Sequence, residues 1–118
     1  MTINHSLGVI AVSDFDQSHH WYEGFFDRPA TNVPMPGQLA EWRITDGGWM
    51  QMHRDTERAG HNLFNLAVDD LASYVTSLRD RHYEPGDIVD VNKGVKISSV
   101  TDPDGNIITL IGNFRESY

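Results

Sequence analysis

Apolar and polar residues alternate along much of this chain with the two-residue period of β-strands. Residues 6–13 form a mostly apolar run rich in β-branched side chains, which predicts a buried strand. Residues 107–111 alternate, with Ile108 and Leu110 on one side of the predicted strand and Thr109 on the other. The chain therefore contains strands whose two faces differ in chemistry.

Two stretches of the chain follow the helical period instead. Asp14 stands at the N-cap position of the first, with Gln17 three residues later in a capping-box arrangement, and the predicted helix runs to about Phe26. Asp70 caps a second predicted helix, which runs through about His82. The predicted order of elements is β-α-β-β-β, and it occurs twice.

Short sequence matches share one offset between the two halves. Ile44-Thr45-Asp46 matches Val100-Thr101-Asp102 at a separation of 56 residues, and Val12-Ser13-Asp14-Phe15 matches Val68-Asp69-Asp70-Leu71 at the same separation. Several matches at one offset indicate a tandem duplication. We predict a single domain over residues 1–118, with units at about 5–53 and 61–112 and a charged linker at about 54–60.

Composition excludes several classes of function. The 118 residues include no cysteine, so disulfides and thiolate metal sites are ruled out. The formal net charge of −8 disfavours nucleic acids and anionic membranes as partners and would favour a cationic ligand. No stretch resembles a signal peptide or a membrane span, so a cytoplasmic protein is expected.

Three motifs resemble the vicinal-oxygen-chelate superfamily, which includes glyoxalase I, bleomycin-resistance proteins, fosfomycin-resistance enzymes and extradiol dioxygenases. They are Val12-Ser13-Asp14 before a helix that contains Trp21-Tyr22, Ala67-Val68-Asp69-Asp70-Leu71, and the turn Asp102-Pro103-Asp104-Gly105-Asn106 followed by Ile-Ile-Thr-Leu-Ile. The resemblance implies an α+β fold, in which two tandem βαβββ units form a curved mixed sheet around a cavity.

The resemblance also predicts where a metal ion would be bound. In the metal-dependent members, the first and last strands of each unit supply one ligand each, and the matching positions here are Leu7, Gln51, Leu63 and Thr109. Leucine cannot coordinate a metal ion, and two neutral oxygen donors cannot hold a divalent cation by themselves. We therefore expect no metal cofactor and none of the glyoxalase or dioxygenase chemistry that needs one.

A displaced metal site is an alternative. His5 and His61 each lie two residues before one of the leucines, and His53 lies two residues after Gln51. Each histidine is therefore predicted on the same strand face as the leucine or glutamine two positions away. Three imidazoles could hold one divalent metal ion. The chain would then be a metal-dependent glyoxalase-like lyase, isomerase or dioxygenase, and a third hypothesis is a ligand-free dimeric interaction module.

The first hypothesis is a metal-free small-molecule-binding protein that resembles the bleomycin-resistance type. Its ligand would be a small aromatic or cationic molecule, and the resemblance implies a homodimer. Trp42 is included in the predicted site although the alternation leaves open which way its ring faces. The predicted ligand-binding residues are Leu7, Trp42, Trp49, Gln51, His53, Leu63, Asn65 and Thr109.

Overall fold

The computed structural model describes residues 2–118 and confirms the predicted order of elements. Each half has the order β-α-β-β-β. The elements are β1 (Ser6–Val12), α1 (Phe15–Phe26), β2 (Asn32–Met35), β3 (Leu39–Arg43), β4 (Gly48–Arg54), β5 (Leu63–Val68), α2 (Leu71–Asp80), β6 (Val89–Asn92), β7 (Val95–Thr101) and β8 (Ile107–Gly112).

Both helices begin at the predicted aspartates. The side chain of Asp14 accepts a hydrogen bond from the backbone N–H of Gln17 at 3.1 Å, and Asp70 accepts one from the N–H of Ser73 at 3.1 Å. Each bond satisfies one of the amide groups that the first turn of a helix leaves unpaired. Helix α2 ends at Asp80, two residues before the predicted end at His82, whose φ of 69° is left-handed.

The strands form two four-stranded mixed sheets, and the fold is α+β. The first sheet has the order β1-β4-β3-β2 and the second the order β5-β8-β7-β6. Strands β1 and β4 are parallel, as are β5 and β8, while the other neighbouring strands are antiparallel. The same topology in both halves agrees with the duplication that the sequence predicts.

One face of the first sheet packs under α1. Met50 pairs with Trp42 across β4 and β3, and both side chains are completely buried. The ring of Trp42 lies 6.2 Å from that of Tyr22 and 5.8 Å from that of Phe26, both on α1. Tyr22 is completely buried and Phe26 partly buried because the helical period places both on the side of α1 that meets the sheet.

The second sheet repeats this arrangement with α2. Ile108 and Leu110 of β8 are completely buried, as the alternation predicts. A Cβ atom on Gly112 would lie only 2.8 Å from the Cβ of Leu71, so the helix can approach the end of β8 this closely only because residue 112 is glycine. Within residues 2–118, no helix is long and apolar enough to cross a membrane.

The chain divides into two compact units, and the turn Asp102–Asn106 belongs to the first of them rather than the second. The first unit extends to Asn62 and includes this turn, and the second consists of Leu63–Thr101 and Ile107–Tyr118. The sequence predicted units at about 5–53 and 61–112, which would have placed this turn in the second unit.

Hydrogen bonds explain why the turn Asp102–Asn106 is part of the first unit. The Tyr22 hydroxyl donates to the Asp102 carboxylate at 2.6 Å, and the Asn106 side chain donates to the carbonyl oxygen of Ala11 at 2.8 Å. The N–H of Asn62 donates to Asn106 at 2.9 Å. Asp102 is 4% exposed and Asn106 is fully buried, so these polar groups need such partners.

Candidate functional site

The face of the first sheet that α1 does not cover carries the first candidate site. We call it the first open face. Because alternate residues of a strand point to opposite faces, the residues that alternate with the buried side chains along each strand form this open face. It consists of Leu7 and Val9 on β1, Leu39, Glu41 and Arg43 on β3, Trp49, Gln51 and His53 on β4, and Asn32 on β2.

A short chain of polar groups crosses this face. The side-chain amide of Gln51 donates to one carboxylate oxygen of Glu41 at 2.9 Å, and the amide of Asn32 donates to the other at 3.0 Å. Gln51 and Glu41 lie directly opposite each other in the antiparallel β3–β4 pair, and so do Asn32 and Glu41 in the β2–β3 pair. The register of three strands therefore fixes the position of one carboxylate.

Trp49 provides an aromatic ring on the same face. Its backbone is paired with Leu7 on one side and with Arg43 on the other, and its side chain is half-buried. The indole Nε1–H is buried and has no hydrogen-bond acceptor among residues 2–118. An unpaired buried donor costs about 1–3 kcal/mol.

Trp42 is not part of this face, and its inclusion among the predicted ligand contacts is wrong. The side chain is completely buried on the α1 side, where its Nε1–H donates to the carbonyl oxygen of Arg28 at 3.2 Å. Its ring also meets that of His19 on α1 at 5.6 Å. The pairing of Trp42 with Met50 places it on the core side of β3, because Met50 is itself a core residue.

The corresponding face of the second sheet, which we call the second open face, has a different chemistry. Leu63 is 77% exposed and Ile107 is 39% exposed, and these two residues are paired across β5 and β8. Asn65 pairs with Thr109, and the hydroxyl of Thr109 shares a hydrogen bond of 2.9 Å with that of Ser99 on β7. This face is mostly apolar, and it carries no acidic side chain in its paired positions.

The histidines of the alternative metal site are not arranged to bind a metal ion. His5, His53 and His61 are all exposed. In residues 2–118, no group of three or more histidine, aspartate or glutamate side chains is placed to hold a metal ion. Of these histidines, His53 lies on the first open face, where it pairs with Leu39, and His5 makes a hydrogen bond of 2.7 Å with Asn4.

Comparison with known proteins gives matches among solved structures. No protein-family model and no curated protein matches this chain. A glyoxalase/bleomycin resistance protein from Catenulispora acidiphila is 26% identical, with a TM-score of 0.84 over 92% of this chain and 96% of that one.

Two further similar structures are those of ligand-binding proteins. TnmS3, an antibiotic-binding protein from Streptomyces sp. CB03234, is 21% identical, with a TM-score of 0.79 over 95% of this chain and 98% of that one. A bleomycin-binding protein in complex with bleomycin is 16% identical, with a TM-score of 0.75 over 93% and 98% of the two chains. This chain has the vicinal-oxygen-chelate fold.

The four positions at which the resemblance predicts metal ligands carry side chains that do not suit a metal ion. Leu7 and Leu63 have no donor atom, and they are 45% and 77% exposed. The amide of Gln51 is hydrogen-bonded to Glu41, and the hydroxyl of Thr109 to Ser99. Carboxylates hold hard divalent cations and imidazoles hold borderline ones such as zinc, and none of these four residues supplies either group, so this donor set does not fit a metal ion.

Five members of the first open face are absent from the predicted contacts: Val9, Leu39, Arg43 and the two residues that bond to Gln51 or to each other, Asn32 and Glu41. Glu41 and Asn32 were not among the predicted contacts because the resemblance points only to the first and last strands of each unit. A local signal was present: residues 39–43 alternate, so Glu41 is predicted on the opposite side from Trp42. What the sequence lacked was the register that brings Glu41 next to Gln51.

Proposed function

We propose that this chain binds a small organic molecule on the first open face and that binding needs no metal ion. The observation that carries the proposal is the half-buried indole of Trp49 on a sheet face that no helix of its unit covers, two residues from the fixed amide of Gln51. An aromatic ring beside a few positioned polar groups is the combination that small-molecule sites use to bind and orient a ligand.

The surface around Trp49 supports an aromatic or otherwise apolar ligand body. Leu7 and Val9 are 45% and 47% exposed, and they lie on the strand paired with β4. A ligand that covers them removes apolar area from water, which stabilises a complex by about 25 cal/mol per Å². The Nε1–H of Trp49 is itself enclosed by the protein, so the ligand would contact the exposed part of the ring.

The structural neighbours support the class of ligand. One neighbour is an antibiotic-binding protein and another was solved with bleomycin bound. We therefore propose an antibiotic-like aromatic ligand that is sequestered by non-covalent contacts, with no bond made or broken. Homodimerisation belongs to the same proposal, and sedimentation velocity measures it directly.

The metal-dependent alternative has less support from the residues present. A lyase, isomerase or dioxygenase with a displaced site would need His5, His53 and His61 to meet at one metal ion, and within residues 2–118 no such group of side chains is present. The binding proposal requires only the side chains that the first open face presents.

A titration tests the proposal. Protein stripped with a chelator is titrated with bleomycin and then with a panel of aromatic antibiotics, by calorimetry and by thermal unfolding. We expect a member of the panel to stabilise the protein by about 2.7 kcal/mol at a free concentration of about 100 times its Kd. Trp49→Ala should weaken that binding about tenfold or more, since aromatic residues at the centre of a contact dominate its free energy.

The control is Gln17→Ala, which changes an exposed side chain on α1, away from the first open face. Its affinity should equal that of the unchanged protein, whereas Gln51→Ala should lose affinity. An identified ligand that binds Trp49→Ala and Gln51→Ala with unchanged affinity would remove the site from this face. Binding that returns only when one divalent metal per chain is added would overturn the metal-free part of the proposal.

A further inference from the structure

We propose that Glu41 receives a positively charged group of the ligand, so that the first open face selects molecules that join an aromatic body to an ammonium or guanidinium group. This inference rests on the proposed function and specifies the class of ligand. It assigns a charge-recognising role to a residue on the third strand of the unit, away from the strands that supply metal ligands in this fold.

The geometry holds the Glu41 carboxylate in one place without neutralising it. Each of its two oxygens accepts a hydrogen bond from one side-chain amide, from Gln51 at 2.9 Å and from Asn32 at 3.0 Å. Both donors are uncharged. A carboxylate has about four acceptor positions, so two remain for a further donor.

Within the described residues 2–118, the Glu41 carboxylate has no cationic partner. Among residues 2–118, no lysine, arginine or histidine nitrogen forms an ion pair with Glu41 within 4.0 Å. Arg43 is the nearest arginine along the strand and points to the same face, but its guanidinium pairs with Asp46 at 2.9 Å. A half-buried carboxylate in this position attracts a cation more strongly than a fully solvated one does, because water screens it less.

The neighbouring aromatic ring strengthens the preference for a cation. Trp49 lies on β4 beside Arg43 and two residues from Gln51, which places its ring on the same face as Glu41. Indole rings attract ammonium and guanidinium groups through their electron-rich faces, and they equally stack on the aromatic part of a ligand. The net charge of −8 adds a long-range attraction for positively charged molecules.

The competing explanation is that Glu41 serves only to join β2, β3 and β4 through its hydrogen bonds. In that case its charge is irrelevant and a glutamine would replace it. The two explanations differ in one measurable respect, since only the first makes affinity depend on the charge of the ligand.

Three probes of similar size and different charge provide the test: phenethylammonium, phenethyl alcohol and phenylacetate. Their binding is followed by NMR shifts of the Trp49 indole N–H at low salt. We expect the cation to bind about tenfold more tightly than the alcohol, and the anion to bind most weakly. Added sodium chloride should weaken the cation and leave the alcohol unchanged.

Glu41→Gln is the decisive variant because it keeps the size of the side chain, and the amides of Asn32 and Gln51 can turn to keep the hydrogen bonds. We expect it to unfold near the temperature of the unchanged protein, to bind the alcohol as before and to lose the tenfold preference for the cation. Glu57→Gln makes the same chemical change at an exposed residue after β4 and should keep that preference.

The outcomes separate the two proposals. Equal binding of all three probes, or a cation preference that survives in Glu41→Gln, would overturn the role of Glu41 and leave the proposed function standing. Failure of every probe to move the Trp49 signal would overturn the proposed binding face itself.

Discussion

Replacing Tyr22 by phenylalanine removes a single hydroxyl group from the hydrogen-bonded cluster that joins α1 to the turn Asp102–Asn106. The hydroxyl donates to the Asp102 carboxylate at 2.6 Å, and both residues are buried, at 0% and 4% exposure. Phenylalanine keeps the aromatic packing of Tyr22. Asp102 retains three donors, the backbone N–H groups of Asp104 and Asn106 and the side-chain amide of Asn106, at 2.8–2.9 Å.

The expected loss at neutral pH is therefore that of one hydrogen bond to a charged group. Such bonds contribute about 1.5–3 kcal/mol, so we expect Tyr22→Phe to lower the free energy of unfolding by about 2 kcal/mol. For a chain of this length, that corresponds to a fall in Tm of about 8 °C. Urea unfolding followed by circular dichroism measures the free energy at each pH.

The effect should depend on pH in a defined direction. Burial and the nearby Asp102 carboxylate raise the pKa of Tyr22 well above its ordinary value of 10.0. A raised pKa in the folded state gives stability that is complete below the unfolded pKa and is lost as the pH rises above it. Between about pH 10 and pH 11, the difference between the two proteins should narrow by about 1 kcal/mol.

Tyr118→Phe is the matched control because Tyr118 is 68% exposed, and its stability at neutral pH should lie within about 0.5 kcal/mol of the unchanged protein. A loss below about 0.5 kcal/mol for Tyr22→Phe would refute the importance of the hydroxyl. A difference that stays constant from neutral to alkaline pH would refute the assignment of the raised pKa to the buried contact with Asp102.

Two further predictions concern the backbone and a helix terminus. Gly60→Ala should lower the free energy of unfolding by more than about 2 kcal/mol, because residue 60 has a φ of +88° and its new Cβ would overlap the carbonyl oxygen of Asp104. Gly37→Ala has a similar φ of +78° with nothing within 4 Å, so urea unfolding should show a loss of only about 1 kcal/mol, and equal losses would contradict the role of the contact. Hydrogen bonds from Ser73 lower the pKa of Asp70 below its ordinary value. The contribution of the ionised carboxylate to stability is therefore complete above the ordinary pKa and is lost as the pH falls through the lower pKa of the folded state. Asp70→Asn should thus have a Tm closer to that of the unchanged protein at about pH 3 than at about pH 7, and a gap independent of pH would count against this assignment.

The order and type of the elements were predictable from the sequence because local chemistry determines them. The alternation in residues 107–111 places Ile108 and Leu110 in the core, and both are completely buried. The caps at Asp14 and Asp70 were likewise predictable, since a cap depends on hydrogen bonds between residues three apart. The repeated order within 118 residues, together with the Asp-Pro-Asp-Gly-Asn turn, was enough to predict the vicinal-oxygen-chelate fold.

The candidate site was predictable only in part. Trp49 and Gln51 were identified from their strand, but Trp42 was assigned to the site although it is buried under α1. Alternation shows that Glu41 and Trp42 point to opposite faces of β3. It does not show which of those faces meets a helix, because that depends on how residues far apart in the chain pack together.

The sequence by itself determined the strands, the helices, their caps and the presence of leucine at positions 7 and 63, where the resemblance predicts metal ligands. Tertiary structure alone decided that Gln51 and Asn32 meet at Glu41, and that the turn Asp102–Asn106 bonds to Tyr22 and Ala11. The physical reason is the range of the interactions. Periodicity and capping involve neighbours a few residues apart. Strand register and the burial of polar groups depend on partners that lie far apart in the sequence, by as many as 95 residues for Ala11 and Asn106.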